Sequence, residues 1–269
     1  MVVEQEIYKM KAWISAFRTK TLPLAAASIL WGSLLAYQNG KHNWIITFLA
    51  LATAFSLQIL SNLANDYGDF KKGTDNNKRL GPQRALQSGI LTEKSVYLSI
   101  WVFSILSLLF GLLLLYFAFE GNFNATAISM FLFGLGAIWA AIKYTAGKNP
   151  YGYLALGDLS VFIFFGLLGV VGTYYLHAKN LNDSWIWLPA ITCGALATGV
   201  LNINNTRDIK NDLANNKITL AGKLGKRNAL LYQMALLIIA GFSFSWYLSQ
   251  VWKHPVIMFS VLGLMPALK

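Results

Sequence analysis

Charge is scarce in this chain. Only 12% of its 269 residues are Asp, Glu, Lys or Arg, about half of the roughly 25% usual in a soluble domain. Eleven acids and 22 bases cannot cover the surface of a 29.8 kDa globule, which excludes a water-soluble enzyme. The 56% apolar content and mean hydropathy of +0.49 exclude a disordered chain. Cysteine is nearly absent, and the lone Cys193 rules out a disulfide scaffold. What remains is a polytopic membrane protein.

A helix needs about 20 apolar residues to cross the hydrocarbon core. Eight stretches meet or approach that length: 22–38, 44–64, 95–119, 124–142, 158–177, 185–204, 229–250 and 255–268. The apolar runs are continuous rather than alternating, so helices are expected and strands are not. Glycines in the spans (Gly134, Gly136, Gly166, Gly169, Gly172) suit close helix packing in lipid. Before the first span, Ile7, Met10, Ile14 and Phe17 recur at helical spacing, which predicts a short helix along the membrane interface. No cleavable signal peptide is expected, because acids come first and no small-residue cleavage site precedes span 1.

The basic residues set the expected orientation. Eighteen of the 22 precede span 1 or follow spans 2, 4 and 6, whereas only Lys41, Lys179 and Lys253 fall in the opposite loops. The N-terminus and long loops should therefore face the cytoplasm. The net charge of +11 is mostly this topology signal, and no nucleic-acid-binding motif accompanies it.

In so apolar a chain the acids carry the information. Five of the eleven fall into two clusters, each at the end of a span on the basic side. The first runs Asn62, Asn65, Asp66, Tyr67, Gly68, Asp69, with Asp75 beyond. The second runs Asn202, Asn204, Asn205, Thr206, Arg207, Asp208, Asn211, Asp212. Asp66 and Asp69 are three apart and Asp208 and Asp212 four apart, so each pair shares a helix face. Like charges so close repel, and near lipid the cost rises, so something positive should sit between them. Oxygen-only ligands select a hard cation such as Mg²⁺. All three histidines lie toward the other side, against a zinc or iron site.

The clusters follow spans 2 and 6, as though two four-helix halves (22–142 and 143–269) repeat around a central cavity. Carboxylate-bound Mg²⁺ commonly carries a phosphate. Arg84 and Arg207 lie in polar motifs on the same side, with Lys71, Lys72, Lys143, Lys148 and Lys217 near them. No Gly-x-x-x-x-Gly-Lys-Ser/Thr loop occurs, which disfavours nucleotide hydrolysis. The combination points to a diphosphate whose apolar part lies among the helices, and a prenyl diphosphate fits.

These residues resemble the UbiA-type superfamily of intramembrane prenyltransferases, whose signatures are two Asp-rich motifs after the second and sixth spans. Four segments carry the likeness: Lys11 to Pro23; Asn62 to Asp75 with Gly81, Pro82, Arg84, Ser88 and Gly89; Tyr144 to Asp158; and Asn204 to Ala221. The third looks most like the branch acting on 1,4-dihydroxy-2-naphthoate in menaquinone biosynthesis. Departures from the family pattern are Gly73 where a third Asp is frequent, Thr19 and Lys148 where Pro is usual, and Asp158 where Glu is usual.

The resemblance implies a single all-α intramembrane domain over 1–269, with residues 1–21 as its interfacial segment and a ninth span beyond the eight seen. It implies Mg²⁺ held by Asn65, Asp66, Asp69, Asp208 and Asp212, the four aspartates being catalytic. It implies a diphosphate bound by Arg18, Arg84, Lys143 and Arg207, and a substrate pocket with Asn62, Tyr67, Tyr144 and Asn204. Tyr67, Tyr144 and Tyr151 are expected either to face an allylic cation or to sit in an interfacial belt. The expected partners are polyprenyl diphosphate, 1,4-dihydroxy-2-naphthoate and the lipid bilayer of a bacterial cytoplasmic membrane. The product would be demethylmenaquinol, formed with loss of the ring carboxylate. Two other readings fit the same pattern. One is a sister prenyltransferase for 4-hydroxybenzoate, homogentisate or a chlorin; the other is a transporter of a phosphorylated or Mg²⁺-bound solute.

Overall fold

A computed structural model describes residues 2–76, 80–81 and 83–252. The described residues form helices and no named strand; an isolated parallel bridge joins Leu154 to Ile218. In chain order come α1 (Val2–Phe17), a 3-10 turn (Thr19–Thr21), α2 (Leu22–Gln38), α3 (Trp44–Lys71), α4 (Glu93–Ala118) and α5 (Ala125–Lys143). Then α6 (Gly157–Val161) runs through a π-helical segment (Phe162–Gly172) into α7 (Thr173–Ala178). The last two are α8 (Trp187–Ala214) and α9 (Leu220–Trp252), with a break at Gly225 (φ 72°) inside α9.

The helix starts are written in local chemistry. The side chain of Asn43 accepts from the Ile45 N–H at 2.8 Å, that of Thr92 from Ser95 at 3.2 Å and that of Asn124 from Ala127 at 2.9 Å. Each satisfies a donor that the first helical turn leaves open. Pro23 opens α2, where its missing N–H costs nothing.

Six helical stretches are long and apolar enough to cross a membrane: Trp44–Lys71, Glu93–Ala118, Ala125–Lys143, Gly157–Ala178, Ser184–Ala214 and Leu220–Val251. They coincide with six of the eight expected spans. The first expected span is α2, 17 residues long and shorter than these six. The last, 255–268, lies outside the described residues. Trp101, Ile105, Phe48, Trp139 and Ile238 stand exposed on the outer faces, an arrangement that water would penalise and lipid accepts. The chain is a multi-pass integral membrane protein.

The helix expected before the first span is present as α1. Ile7, Met10 and Ile14 are exposed, while Ala12 and Ala16 are buried against Leu60, Leu63 and Ala64 of α3. Phe17, grouped by spacing with the exposed residues, packs instead against Phe103 of α4 at 5.4 Å between ring centroids.

The glycines divide. A Cβ at Gly166 would stand 2.6 Å from the Ala190 carbonyl oxygen of α8, so the π-helical segment and α8 meet backbone to backbone there. Gly134 and Gly136 have no such neighbour within 4 Å; the packing role expected from sequence does not hold for these two, and Gly134 instead lines an internal cavity.

Candidate active site

Polar residues close the last turns of α3. Asn62, Asp66 and Asp69 follow one another at helical spacing, and all three are buried. Asn62 donates from Nδ2 to the Phe17 carbonyl at 2.9 Å and to Thr21 Oγ1 at 3.2 Å, which ties α3 to the entry of α2. Asn65 accepts at Oδ1 from the Thr145 hydroxyl at 3.1 Å. Asp66 pairs with the Arg18 guanidinium, and Arg84 Nε stands 3.5 Å from the same carboxylate oxygen. Arg18 adopts a left-handed backbone (φ 49°, ψ 54°) between α1 and the 3-10 turn. A non-glycine residue there carries strain, which persists when surrounding contacts hold it.

Asp69 has two partners from far along the chain. The Tyr153 hydroxyl donates to it at 2.8 Å and the Lys217 ammonium stands 3.1 Å away. Two backbone bonds hold these partners side by side: Ala155 N–H to the Ile218 carbonyl at 2.8 Å, and Ile218 N–H to the Tyr153 carbonyl at 3.2 Å.

The end of α8 carries the second cluster. Asp208 and Asp212 are buried. Arg207 forks onto Asp208 with Nε at 3.0 Å and an Nη at 2.7 Å, the bidentate geometry in which guanidinium–carboxylate pairs are strongest. Asn211 donates to the Thr74 carbonyl at 2.9 Å and so joins α8 to the loop after α3.

Two loop phenols, Tyr144 and Tyr153, are influenced by carboxylates of both helices. Burial first, then the Asp158 carboxylate, raises the Tyr144 pKa well above its ordinary value, with Tyr151, Asp69 and Asp212 adding to it. Burial and then Asp69 raise Tyr153 likewise, and Asp212 again contributes. Carboxylates from α3 and α8 thus act on one set of loop tyrosines.

A cavity of about 400 Å³ opens beneath this region, within the size range of small-molecule sites. Arg18, Asn62, Asn65, Tyr144 and Asn204 line it at the acidic end. Leu108, Leu112, Phe131, Phe164 and Leu168 form apolar walls, and Ile29, Leu114, Leu115 and Leu176 lie in the buried cluster that closes around its far part.

The expected site residues are therefore mostly together, with differences. The four aspartates do not themselves line the cavity; Arg18, Asn65 and Asn204 beside them do. Tyr67, expected in the pocket, is outside its lining: its hydroxyl donates to Glu93 at 3.3 Å and its ring lies near Lys71. One residue along a helix turns the side chain by about 100°, which carries Tyr67 off the Asp66 face. Lys143 ends α5, with its ammonium 2.9 Å from where a Cβ at Gly147 would lie, and is also outside the lining. Sequence reasoning did not assign Tyr153 or Thr145 to the site, nor Lys217 as the partner of Asp69. The Tyr144 to Asp158 motif was the available signal for the first two.

Among the described residues no three His, Cys, Asp or Glu side chains form a group able to hold a metal ion. The donors near the cavity are all oxygens, from Asn65, Asp66, Asp69, Asp208 and Asp212, and their chemistry fits a hard divalent cation. Arg18, Arg207 and Lys217 now supply positive charge to three of these carboxylates.

The profile of the UbiA prenyltransferase family matches residues 25–269. A relative from Escherichia coli (strain K12), named 1,4-dihydroxy-2-naphthoate octaprenyltransferase, is 46% identical over 88% of this chain and 76% of its own. A Haemophilus influenzae protein of the same name is 47% identical over 86% of this chain and 75% of its own. Among solved structures, a UbiA homolog from Archaeoglobus fulgidus bound to DMAPP and Mg²⁺ superposes with a TM-score of 0.59 at 16% identity, covering 93% of this chain and 84% of that one. At that identity the likeness speaks for the fold.

Proposed function

The chain belongs to the UbiA prenyltransferase family, and we propose that it transfers a polyprenyl group from its diphosphate to 1,4-dihydroxy-2-naphthoate. The ring carboxylate leaves as carbon dioxide and demethylmenaquinol is formed, a step of menaquinone biosynthesis. The observation that carries this reading is that the acidic ends of α3 and α8 are tied together, by Asn211 to the Thr74 carbonyl and by Lys217 to Asp69, beside an apolar cavity whose polar end is lined by Arg18, Asn65 and Asn204. The names of its relatives give the acceptor.

The work divides along the cavity. Its apolar walls take the isoprenoid chain nearest the diphosphate. Arg18 and Asn65 stand at the polar end, where the diphosphate belongs, and Arg84 and Arg207 add charge beside the carboxylates. Asp66, Asp69, Asp208 and Asp212, with Asn65, would hold Mg²⁺. When bound, that ion supplies Lewis-acid stabilisation of negative charge on the departing diphosphate. The burial of Asp66, Asp69, Asp208 and Asp212 strengthens each charge contact they make, and the apolar walls of the cavity limit water at the allylic carbon. Tyr144, whose ring meets Tyr151 edge-on at 5.3 Å, presents an aromatic wall to the developing allylic cation. The two halves, 22–142 and 143–269, form one catalytic unit, each giving one acidic helix end. The basic side faces the cytoplasm of a bacterial inner membrane.

The test is transfer by purified protein in detergent with Mg²⁺, one polyprenyl diphosphate and a panel of aromatic acids. The reading expects prenylation with carbon dioxide release from 1,4-dihydroxy-2-naphthoate. Preferential prenylation of 4-hydroxybenzoate or homogentisate would move the protein to a sister reaction.

A further inference from the structure

The loop between α5 and α6 reaches the acidic end of α3 through two hydroxyls. One, from Tyr153, donates to Asp69 at 2.8 Å. The other belongs to Thr145, which is fully buried and to which the reaction so far gives no task. Its Oγ1 lies 3.1 Å from Asn65 Oδ1 and 3.1 Å from the Ala64 carbonyl oxygen. A Cβ at Gly68 would fall 2.8 Å from that same Oγ1 and 2.6 Å from the Thr145 carbonyl oxygen. Any side chain at 68 would displace the hydroxyl, so the contact depends on glycine there.

A hydroxyl has one proton to give, and the two acceptors are unequal. Ala64 lies inside α3, where its carbonyl takes the N–H four residues on, that of Gly68. Asn65 Oδ1 has no donor besides Thr145 among the described residues. Loss of the hydroxyl therefore falls on Asn65. Asn65 lines the polar end of the cavity, and Thr145 itself is outside the lining. An amide oxygen accepts at two lone pairs. The hydroxyl uses one and leaves the other for a cation. The same bond decides which end of the amide is presented, since an inverted amide would offer N–H where a cation needs oxygen.

We propose that Thr145 is a positioning residue that acts through Asn65, its hydroxyl fixing the amide so that Oδ1 is the atom offered to a divalent cation. The inference rests on the Mg²⁺-dependent transfer reading above and extends it to a residue outside both acidic motifs. Groups that hydrogen-bond to metal ligands orient them, and losing one costs about 10–100-fold in metal affinity or activity. A hydroxyl that only fastened the loop to α3 through the Ala64 carbonyl would change folding stability and leave the affinity of the folded protein for the ion as it was.

Thermal unfolding of purified full-length protein, titrated with Mg²⁺ alone, reads this without catalysis, because an ion that binds the folded state stabilises it. Thr145→Val removes the hydroxyl and keeps the branched shape. It is expected to raise the half-saturating Mg²⁺ concentration by about 10–100-fold, while Thr145→Ser, which keeps the hydroxyl, stays within about threefold of the parent. Prenyl transfer by Thr145→Val should recover as Mg²⁺ is raised, whereas a displaced loop would not be mended by the ion. In an Asn65→Ala background the Thr145→Val penalty should shrink below about twofold, because the group it acts through is gone. A parental Mg²⁺ midpoint in folded Thr145→Val overturns the assignment. So does a loss in Thr145→Ser as large as that in Thr145→Val, or a penalty undiminished by Asn65→Ala. Should Thr145→Val fail to fold, Thr145→Ala takes its place under the same criteria. A parent protein that Mg²⁺ neither stabilises nor activates refutes the Mg²⁺ reading itself, and the role of Thr145 falls with it. A parent that responds to Mg²⁺ beside a Thr145→Val of parental midpoint refutes the role of Thr145 alone.

Discussion

Lys217 stands 3.1 Å from Asp69 although 148 residues separate them in the chain. The pair links the end of α3 to the connection after α8, and both side chains are largely buried. The ammonium occupies the carboxylate that a divalent ion would need, so the two cations compete. Lys217→Ala should lower the melting temperature of the metal-free protein, because among the described residues it leaves the buried Asp69 carboxylate with the Tyr153 hydroxyl as its hydrogen-bond partner. The same substitution should enlarge the stabilisation that Mg²⁺ confers, since binding to the folded state raises stability by mass action. Thermal unfolding with and without Mg²⁺ reads both effects; a smaller Mg²⁺ shift in Lys217→Ala would refute the competition.

Asp66 answers to Arg18 and Arg84, two cations placed where a diphosphate arrives. Asp66→Ala should cut prenyl transfer by at least about 10²–10³-fold, the loss typical of removing a preorganised electrostatic partner. Membrane insertion should be unchanged, because the apolar spans drive it. Transfer rates normalised to protein recovered from membranes check this. Full activity would remove Asp66 from the site.

Gly68 lies between the two aspartates of α3, and a Cβ there would fall 2.6 Å from both the carbonyl carbon and the carbonyl oxygen of Thr145. Backbone cannot yield as a flexible side chain can. Gly68→Ala should therefore destabilise by about 1–3 kcal/mol, the usual cost of overpacking, and displace the loop that carries Tyr144 and Tyr153. Activity and melting temperature should fall together. A neutral outcome in both would mean that the helix and loop are not in contact at that point.

Chelation tests the charge logic at large. EDTA should silence transfer and added Mg²⁺ restore it, because four buried carboxylates offer a hard cation an all-oxygen set. Activity that survives thorough chelation contradicts the assignment of these aspartates.

Much of the fold was legible because a membrane writes its thickness into sequence as apolar length. The two acidic motifs were legible for a similar reason: aspartates at spacings of three and four share a helix face whatever the fold. What spacing cannot report is which distant loop covers that face. Lys217 and Tyr153 reach Asp69 only because residues 153–155 and 218 pair through their backbones, a contact with no local periodicity. The left-handed Arg18 was equally invisible, since its conformation is held by tertiary contacts rather than by preference. Tyr67 was misplaced because adjacency in sequence to Asp66 is not adjacency on a helix. The π-helical segment over residues 162–172 packs against α2 and α8, and nothing in a run of Phe, Gly, Leu and Val distinguishes it from an ordinary span.

The central claim is that the acidic ends of α3 and α8 act on one ligand together, and a double-mutant cycle on binding tests it most directly. Affinity for polyprenyl diphosphate in the presence of Mg²⁺ would be measured for the parent protein, Asp66→Asn, Asp208→Asn and the double substitution. Joint action predicts strong coupling, with the double substitution falling short of the product of the single losses by more than about tenfold, or over 1 kcal/mol. Single losses that simply multiply would place the two clusters at separate sites and contradict the account.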